Sequence, residues 1–331
     1  MVVMAKKRKR AAAKAYSLDY GVSQSMLLRW LMCRQEAKYY VDGWRVPETA
    51  VAPWFGQLAH DINDNMYDSF RRGKFSVVPD RDITDGLLAE AEKKLMKQAK
   101  KVGKKAVENA EMMMTWAEAL LLPYCQYWKD DFKKGIWEAL ESEFLVEWEG
   151  YKLKGRRDGL RWAKPKKGKK SLWMMETKTK GRIEEGTLLD TLAFDFQNEF
   201  YLTGSDVELG DKKADLKGVL YNIIRRPNQK LKGGEDLKEY GARIREDVEK
   251  RPDHYFKRFE VTYPQQEREW FKKDLLAIIQ EFELWLRDER PTYRQQCSCT
   301  MGRRCDFIPA CSSGTMKGFV QSKDLKKMRS K

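Results

Sequence analysis

Apolar residues in the first part of the chain recur at the spacing of amphipathic helices. In residues 17–40 they lie behind Ser23 and Ser25, which suit a helix N-terminus, and form one stripe of Met26, Leu27, Trp30, Leu31 and Ala37. A second helix is predicted over 55–71, and residues 83–140 carry long helical patterns rich in Lys, Glu and Ala. The pattern therefore predicts a helical N-terminal region.

The pattern changes after residue 140, where short segments with aromatic residues and partial alternation indicate strands. In chain order it predicts strands over 142–148, 152–162 and 171–179, a helix over about 184–203, a strand over 218–226, and amphipathic helices over 234–250 and 264–287. A basic linker at 164–171 joins the second and third strands. This order of elements predicts an α/β core with a mixed sheet, wrapped by helices from both ends.

The chain is basic, with 65 Lys and Arg residues against 50 acidic residues and a net charge of +15. Six of the positive charges fall in the first fifteen residues, which contain no acid. A basic protein attracts polyanions by neutralising phosphates and releasing counterions, so the charge favours nucleic acid as the partner. No run approaches the roughly twenty apolar residues that span a bilayer, so we expect no membrane partner and a cytoplasmic location.

Asp158, Glu176 and Lys178 fall on two neighbouring predicted strands. Alternation along the second strand places Glu176 and Lys178 on one face. Two carboxylates from adjacent strands suit a hard divalent cation such as Mg²⁺ or Mn²⁺, and a nearby lysine suits the negative charge that grows on a phosphorus centre. The pattern predicts metal-dependent phosphodiester hydrolysis, although a solvated surface strand also explains a single Glu-x-Lys.

Two further groups are candidates for the same site. Gln197 and Tyr201 lie four residues apart on the predicted 184–203 helix and therefore project side by side, in a stripe that also holds Asp190 and Phe194. His60 follows Gly56 by four residues, early in the second helix, where an imidazole nitrogen is suited to complete a metal shell. Each has an ordinary alternative, a half-buried tyrosine with a glutamine partner and a structural histidine.

Six cysteines in a protein that we expect to be cytoplasmic favour metal or core roles over disulfides. Cys125 has an apolar setting and is most simply a core thiol, and Cys33 stands alone near the N-terminus. The other four form a C-terminal group of Cys297, Cys299, Cys305 and Cys311. Four thiolates suit a 4Fe-4S cluster, and the four terminal cysteines by themselves also suit Zn²⁺.

In this order the motifs resemble the PD-(D/E)XK nuclease superfamily, in particular its RecB-like branch of phage exonucleases and CRISPR-associated adaptation nucleases. The motifs are Ser23-x-Ser25, Gly56-x-x-x-His60, Gly155-x-x-Asp158-Gly159, Glu176-x-Lys178, Gln197-x-x-x-Tyr201 and the terminal cysteines. The superfamily's proline-aspartate pair is here Arg157-Asp158. The resemblance implies a restriction-endonuclease-like mixed central sheet flanked by helices, with a helical N-terminal region and a cysteine-rich C-terminal metal clip.

The resemblance also implies roles for individual residues. Mg²⁺ or Mn²⁺ would be held by His60, Asp158, Glu176 and the carbonyl of Thr177, and Lys178 would be the catalytic lysine. Gln197 and Tyr201 would help to hold the substrate. A 4Fe-4S cluster would take its ligands from Cys33, Cys299, Cys305 and Cys311, with Cys297 as the alternative to Cys299 and Zn²⁺ as the alternative cofactor.

The function that these expectations favour is a DNA exonuclease acting on ends or single strands. Its setting would be phage recombination or replication, or DNA repair, in the cytoplasm of a bacterial or phage-infected cell. A single-strand-binding or recombination protein is a further candidate partner, and the oligomeric state stays open. The alternative is a catalytically inactive nucleic-acid-binding or recruitment protein on the same fold, for which a broken set of metal ligands is expected.

The predicted organisation has five segments. They are a disordered basic tail over 1–16, a helical region over 17–140, the nuclease-like core over 141–230, C-terminal helices with the cysteine group over 231–318, and a basic tail over 319–331.

Overall fold

The chain divides into two compact units. A computed structural model describes residues 16–46, 54–163, 170–183, 185–211, 216–300 and 305–321. The first unit comprises Met1–Glu48, Leu145–Gly155 and Glu269–Lys331, and the second comprises Thr49–Phe144 and Arg156–Arg268. Nearly all of the predicted 1–16 tail, most of the 164–171 linker and most of the 319–331 tail lie outside the described residues.

Helices are the commoner element. In chain order they are α1 (Gln24–Met32), α2 (Arg34–Val41), α3 (Trp54–Arg71), α4 (Arg81–Val102), α5 (Lys104–Tyr127), α6 (Glu185–Leu192), α7 (Phe196–Leu209), α8 (Leu237–Lys250), α9 (Pro252–Tyr255), α10 (Gln265–Leu286) and α11 (Ile308–Ser313). The strands are β1 (Val22–Ser23), β2 (Trp44–Arg45), β3 (Trp137–Trp148), β4 (Tyr151–Ala163), β5 (Ser171–Lys180), β6 (Leu216–Arg225), β7 (Phe256–Thr262) and β8 (Val320–Gln321). None of the helices in the described ranges is long and apolar enough to cross a membrane.

A mixed sheet forms the centre of the second unit. Its strands follow the order β4-β5-β6-β7, with β3 paired to β4. β4 and β5 are antiparallel, β5 and β6 are parallel, and β6 and β7 are antiparallel. The first seven residues of β5 are all buried, as in strands covered by helices on both faces. The predicted α/β core with a mixed sheet flanked by helices is confirmed.

The helices of the second unit bury one large apolar cluster against this sheet. It joins residues of α3, α4, α5 and α8 to the ends of β6 and β7, including Leu58, Leu120, Ile244, Ile224 and Phe256. Apolar residues in these helices recur about every three or four positions, so each helix presents one stripe to the cluster. The predicted helices over 55–71, 234–250 and 264–287 are confirmed within a few residues.

Three predicted elements are wrong in detail. The 17–40 helix is broken at Cys33, which is extended between α1 and α2. The 184–203 helix is two helices, because the side chain of Asp195 accepts a hydrogen bond from the amide of Asn198 and begins α7. The helical pattern over 83–140 ends early, since β3 begins at Trp137. β7 was not predicted, because three of its seven residues are charged.

In the first unit, aromatic rings hold the described chain ends together. Trp30 of α1 lies edge-on to Phe282 of α10, with ring centroids 5.6 Å apart. Tyr39 of α2 stacks on Phe307, which stacks in turn on Phe319 at 5.0 Å. β1 runs parallel to the start of β4, pairing Val22 with Leu153 and Ser23 with Lys154. These contacts bring the N-terminal helices to the C-terminal segment that carries the cysteine group.

Candidate active site

The two predicted carboxylates meet across β4 and β5. Gly159 pairs with Met175, and the same antiparallel register places Asp158 opposite Glu176. The amide of Thr177 donates a hydrogen bond of 2.6 Å to Asp158 Oδ2, which fixes the Asp158 carboxylate beside the β5 backbone. The predicted approach of the two acids is therefore what the sheet produces.

Glu176 is the centre of the polar contacts on this face. It is 2% exposed and forms an ion pair with Lys178 through Oε1. Gln197 Nε2 donates a hydrogen bond of 2.7 Å to the same oxygen, and Lys178 Nζ donates to Gln197 Oε1 at 3.4 Å. The Lys178 side chain is 36% exposed, so it reaches from the buried carboxylate toward solvent. The structure thus brings Glu176, Lys178 and Gln197 together, as the sequence predicts.

His60 joins the site from α3, with Nδ1 3.5 Å from Asp158 Oδ1. Gly56, one turn earlier, explains how the helix comes so close. A Cβ atom at position 56 would lie 3.3 Å from Thr179 Oγ1 on β5, which is tighter than most side chains allow. The Gly-x-x-x-His spacing therefore combines a close approach of helix to strand with an imidazole directed at Asp158.

The pKa values of the two acids of the site are shifted in opposite directions. Burial raises the pKa of Glu176 to about 7, and the charge of Asp158 adds to this, although Lys178 opposes it. Burial alone would also raise the pKa of Asp158, but the hydrogen bond and charge of His60 and the amide of Thr177 hold it below its ordinary value. Although burial favours neutral His60, Asp158 raises the pKa of that imidazole. Asp158 is therefore ionised at neutral pH, where Glu176 is half protonated.

Tyr201 and Thr177 have different surroundings from the rest of the predicted set. Tyr201 is buried one turn after Gln197, and its ring lies edge-on to Phe144 at 5.8 Å. The Thr177 hydroxyl accepts a hydrogen bond of 3.3 Å from Asn222 Nδ2 on β6. The Tyr201 ring thus packs against the Phe144 ring, and the Thr177 side chain belongs to the face opposite Glu176.

Arg157, which directly precedes Asp158, fixes the helix that carries Gln197. Its side chain is buried and donates hydrogen bonds of 2.8 Å to Ser142 and to Ser205. It also forms an ion pair with Glu208. Because Ser205 and Glu208 belong to α7, the guanidinium ties α7 to β3 and β4. The sequence alone assigns no role to Arg157.

Tyr221 is a second residue that sequence reasoning missed. The parallel register of β5 and β6 places it beside Glu176. Burial raises the pKa of Tyr221 to about 12, and the charge of Lys178 lowers it while Glu176 raises it, so the phenol lies close to both. The signal was present in the sequence, because Tyr221 is the aromatic residue in the middle of the strand that follows Glu176-x-Lys178.

A buried ionic network lies behind β5. Asp131 is fully buried and accepts hydrogen bonds from Arg258 at 2.8 and 2.5 Å, from Tyr67 at 2.8 Å, and forms an ion pair with Arg161 at 2.8 Å. Arg258 Nε donates to Asn222 Oδ1 at 2.8 Å, and Asn222 reaches the Thr177 hydroxyl. This network, which we call the Asp131 network, connects to the strand segment between the Glu176 and Lys178 side chains.

The donor set suits a hard divalent cation. Two carboxylates and one imidazole are available from His60, Asp158 and Glu176, and the repulsion that raises the pKa of Glu176 is what a cation would relieve. Over the described ranges, no three His, Cys, Asp or Glu side chains are arranged so that they could hold a metal ion as they stand.

The C-terminal cysteine group and Cys33 both belong to the first unit. Cys33 is buried, and all six cysteines are free thiols. Burial raises the pKa of Cys299, and the charges of Cys33, Cys311 and Cys297 raise it further. Burial also raises the pKa of Cys305 to about 11, with contributions from Glu36, Cys33 and Cys299. Cys33, which is distant from the C-terminal cysteines in sequence, thus contributes to the electrostatics of both Cys299 and Cys305.

Two polar side chains of α2 border this group. Cys305 Sγ is 3.7 Å from Glu36 Oε2, and Cys311 Sγ is 3.7 Å from the hydroxyl of Tyr39. Cys125 is buried elsewhere, against Met66, as the predicted core thiol.

Comparison with known proteins adds no relative, since no family model and no curated protein matches the chain.

Proposed function

We propose that the protein is a divalent-metal-dependent DNA nuclease with a PD-(D/E)XK core, hydrolysing phosphodiester bonds at DNA ends or in single strands. The observation that carries this proposal is the buried Glu176 carboxylate, which Lys178 and Gln197 share beside the Asp158–His60 pair. A buried acid with a raised pKa next to a lysine is typical of a catalytic site rather than of a solvated strand.

Each side chain has a role in this proposal. His60, Asp158 and Glu176 would hold Mg²⁺ or Mn²⁺, and the chemistry supplied by such an ion would be polarisation of the scissile phosphate and a lowered pKa for a bound water. Lys178 lies where its ammonium group offsets the charge that develops on the phosphate. Gln197 orients Glu176 through their hydrogen bond. Tyr221 borders the same face, and its hydroxyl is a candidate donor to a phosphate oxygen.

The basic ends of β5 and β6 support DNA as the substrate. Lys180 pairs with Arg225 in the parallel register, and the amide of Arg226 donates to the carbonyl of Lys180 at 2.9 Å. The Arg226 guanidinium lies 5.7 Å from the ring of Trp116. Cations grouped just beyond Lys178 are suited to contact the phosphates on either side of a scissile bond.

End-labelled linear DNA and covalently closed circular DNA, each incubated with Mn²⁺ or Mg²⁺, test the proposal. We expect the wild-type protein to degrade linear DNA and leave circles intact, and the Glu176→Ala variant to cleave neither. The variant should still bind DNA in a mobility-shift assay, because the basic ends of β5 and β6 are unchanged. Binding by the wild type without cleavage of any substrate would instead favour the inactive recruitment protein, and cleaved circles would indicate endonuclease action.

The affinity for Mn²⁺ is expected to fall as the pH drops below about 7, because Glu176, whose pKa is raised to about 7, then holds a proton. Binding must release this proton, so the affinity falls by up to about tenfold per pH unit for each proton released. The raised pKa of His60 adds to the effect, whereas Asp158 stays ionised. Calorimetric titrations in buffers of different ionisation enthalpy count the protons, and a pH-independent affinity contradicts the ligand set.

We also propose that the cysteine group holds a 4Fe-4S cluster through Cys33, Cys299, Cys305 and Cys311. The proximity of Cys33 to Cys299 and Cys305 supports this set over zinc bound by the four terminal cysteines. Cys297 is the exposed member and is the alternative to Cys299.

Purified protein should therefore be brown, and Cys33→Ser should lose its colour and iron. The matched control is Cys297→Ser, which should keep its colour and its iron. The four proposed ligands of the cluster, Cys33, Cys299, Cys305 and Cys311, are unchanged in this variant. Visible absorption and elemental analysis measure the outcome. Stoichiometric zinc that survives in Cys33→Ser would replace the iron–sulfur assignment with the zinc site.

A further inference from the structure

An exposed phenylalanine stands beside the candidate active site. Phe194 is 80% exposed, which is the largest exposed fraction of any large apolar side chain among the described residues. The sequence pattern placed it in a helical stripe, whereas the structure places it in the turn between α6 and α7. Its exposure therefore follows from the break between the two helices.

The turn that presents Phe194 is firmly held. The hydroxyl of Tyr263 donates to the carbonyl of Leu192 at 2.5 Å and accepts from Asn198 Nδ2 at 3.1 Å, so one phenol joins the last residue of α6 to the first turn of α7. Asp195 caps α7 through the amide of Asn198 at 2.9 Å. An exposed ring on a fixed turn is suited to meet a ligand without a large loss of conformational freedom.

The position of this turn ties Phe194 to the site. Gln197, three residues further on, donates to Glu176, and three residues of chain span at most about 11 Å between their Cα atoms. The Cα atom of Phe194 therefore lies within about 11 Å of the Cα atom of Gln197, whose side chain contacts Glu176.

We infer that Phe194 is a stacking platform for an unpaired base and that the substrate of this site is single-stranded DNA or the frayed end of a duplex. This inference rests on the proposed nuclease function. The π-face of a base in a duplex is covered by its neighbours, whereas an unpaired base offers it to an aromatic side chain. Lys178, Lys180 and Arg226 supply cations for the phosphates, so ring and charges together match a single strand.

Leu189 offers a matched control. It lies on α6, five residues before Phe194, and is 44% exposed. A general apolar contact with any partner would use both side chains, whereas base stacking requires the aromatic ring. Phe194→Trp keeps a stacking surface and Phe194→Ala removes it, so the three variants separate stacking from exposed apolar area.

The experiment measures the fluorescence of 2-aminopurine at successive positions of a short single-stranded oligodeoxynucleotide, with EDTA present to prevent cleavage. Wild type, Phe194→Trp and Leu189→Ala should quench one position strongly. Phe194→Ala should lose that quenching and bind the strand roughly 5- to 100-fold more weakly, as expected for one stacked base. The affinity of Phe194→Ala for covalently closed circular duplex DNA should be unchanged.

The same variants are then assayed for Mn²⁺-dependent cleavage. Phe194→Ala should raise KM for single strands by a similar factor and leave kcat within about threefold, because the ring binds a base and does not contact the reacting phosphate. Unchanged quenching and affinity in Phe194→Ala, or equal losses in Leu189→Ala, would overturn the inference. Absence of cleavage by the wild type contradicts only the proposed nuclease, because the quenching is measured independently of catalysis.

Discussion

Lys178→Met is expected to lower the rate of DNA cleavage at saturating DNA by roughly 10²–10³-fold, which is the usual effect of removing one group that stabilises transition-state charge. Methionine keeps most of the aliphatic stem, so the strand should remain intact. The ammonium group of Lys178 contacts both Glu176 and Gln197, and its loss leaves the Glu176 carboxylate without its ion pair. Single-turnover cleavage of a labelled oligonucleotide with Mn²⁺ measures the effect.

Lys180→Met is the matched control for this experiment. Lys180 lies two residues further along the same strand and therefore on the same face, where it pairs with Arg225 and its ammonium group lies 6.0 Å from the Tyr221 ring. Loss of the Lys180 charge should weaken DNA binding and lower the slope of log binding constant against log salt concentration by about one, the value for one phosphate contact. It should leave kcat nearly unchanged. Wild-type kcat in Lys178→Met, or an equal loss of kcat in both variants, contradicts a catalytic role for Lys178.

The Lys178→Met variant should also shift the pH dependence of Mn²⁺ binding. Lys178 lowers the pKa of Glu176, which burial and Asp158 raise. Removal of the ammonium group therefore raises that pKa further, and the pH below which affinity falls should move upward. This shift distinguishes loss of the charge beside Glu176 from a general distortion of the site.

Asp131→Asn is expected to destabilise the folded protein by about 3 to 5 kcal/mol, the usual cost of removing one partner from a buried ion pair. Asp131 is fully buried and is the acid that both Arg161 and Arg258 contact, so two guanidinium groups would lose their anionic partner together. These two cations keep the Asp131 carboxyl ionised, since they hold its pKa below the ordinary value against the effect of burial. A lower melting temperature in calorimetry measures the loss.

The neighbouring residue provides the control. Asp130 is exposed and forms an ion pair with Lys133 at 2.8 Å. Asp130→Asn should change the free energy of unfolding by roughly 0 to 1 kcal/mol, because exposed ion pairs contribute little. Similar melting temperatures for the two variants would show that the Asp131 network contributes no more than a surface contact.

The parts of the site that rest on local periodicity were predictable. Glu176 and Lys178 share a face because strand residues alternate, and Gln197 and Tyr201 lie one helical turn apart. Asp158 comes from the preceding strand of a simple antiparallel pair, so its approach to Glu176 needed no long-range information. His60 was signalled by the glycine one turn before it.

The parts that rest on distant contacts were not predictable. Arg258 and Asp131 are separated by 127 residues, and Asp131 lies in a short 3₁₀ segment with no periodic pattern. The break between α6 and α7 was hidden because Phe196 and Phe200 continue the apolar spacing of the earlier helix. In the sequence, Arg157 is one more basic residue in a basic strand. Its role in holding α7 becomes visible only from its hydrogen bonds to Ser142 and Ser205.

The chain passes between the two units four times, after residues 48, 144, 155 and 268. The first unit is thus assembled from three separate pieces, and β3 and β4 each begin in one unit and end in the other. A chain cut before α10 would leave Trp30 without Phe282 and Trp285, the rings against which it packs. Neither unit can be excised as one uninterrupted stretch of sequence. Shortening this protein from its C-terminus would therefore remove one of the three pieces of the first unit and leave the other two without it.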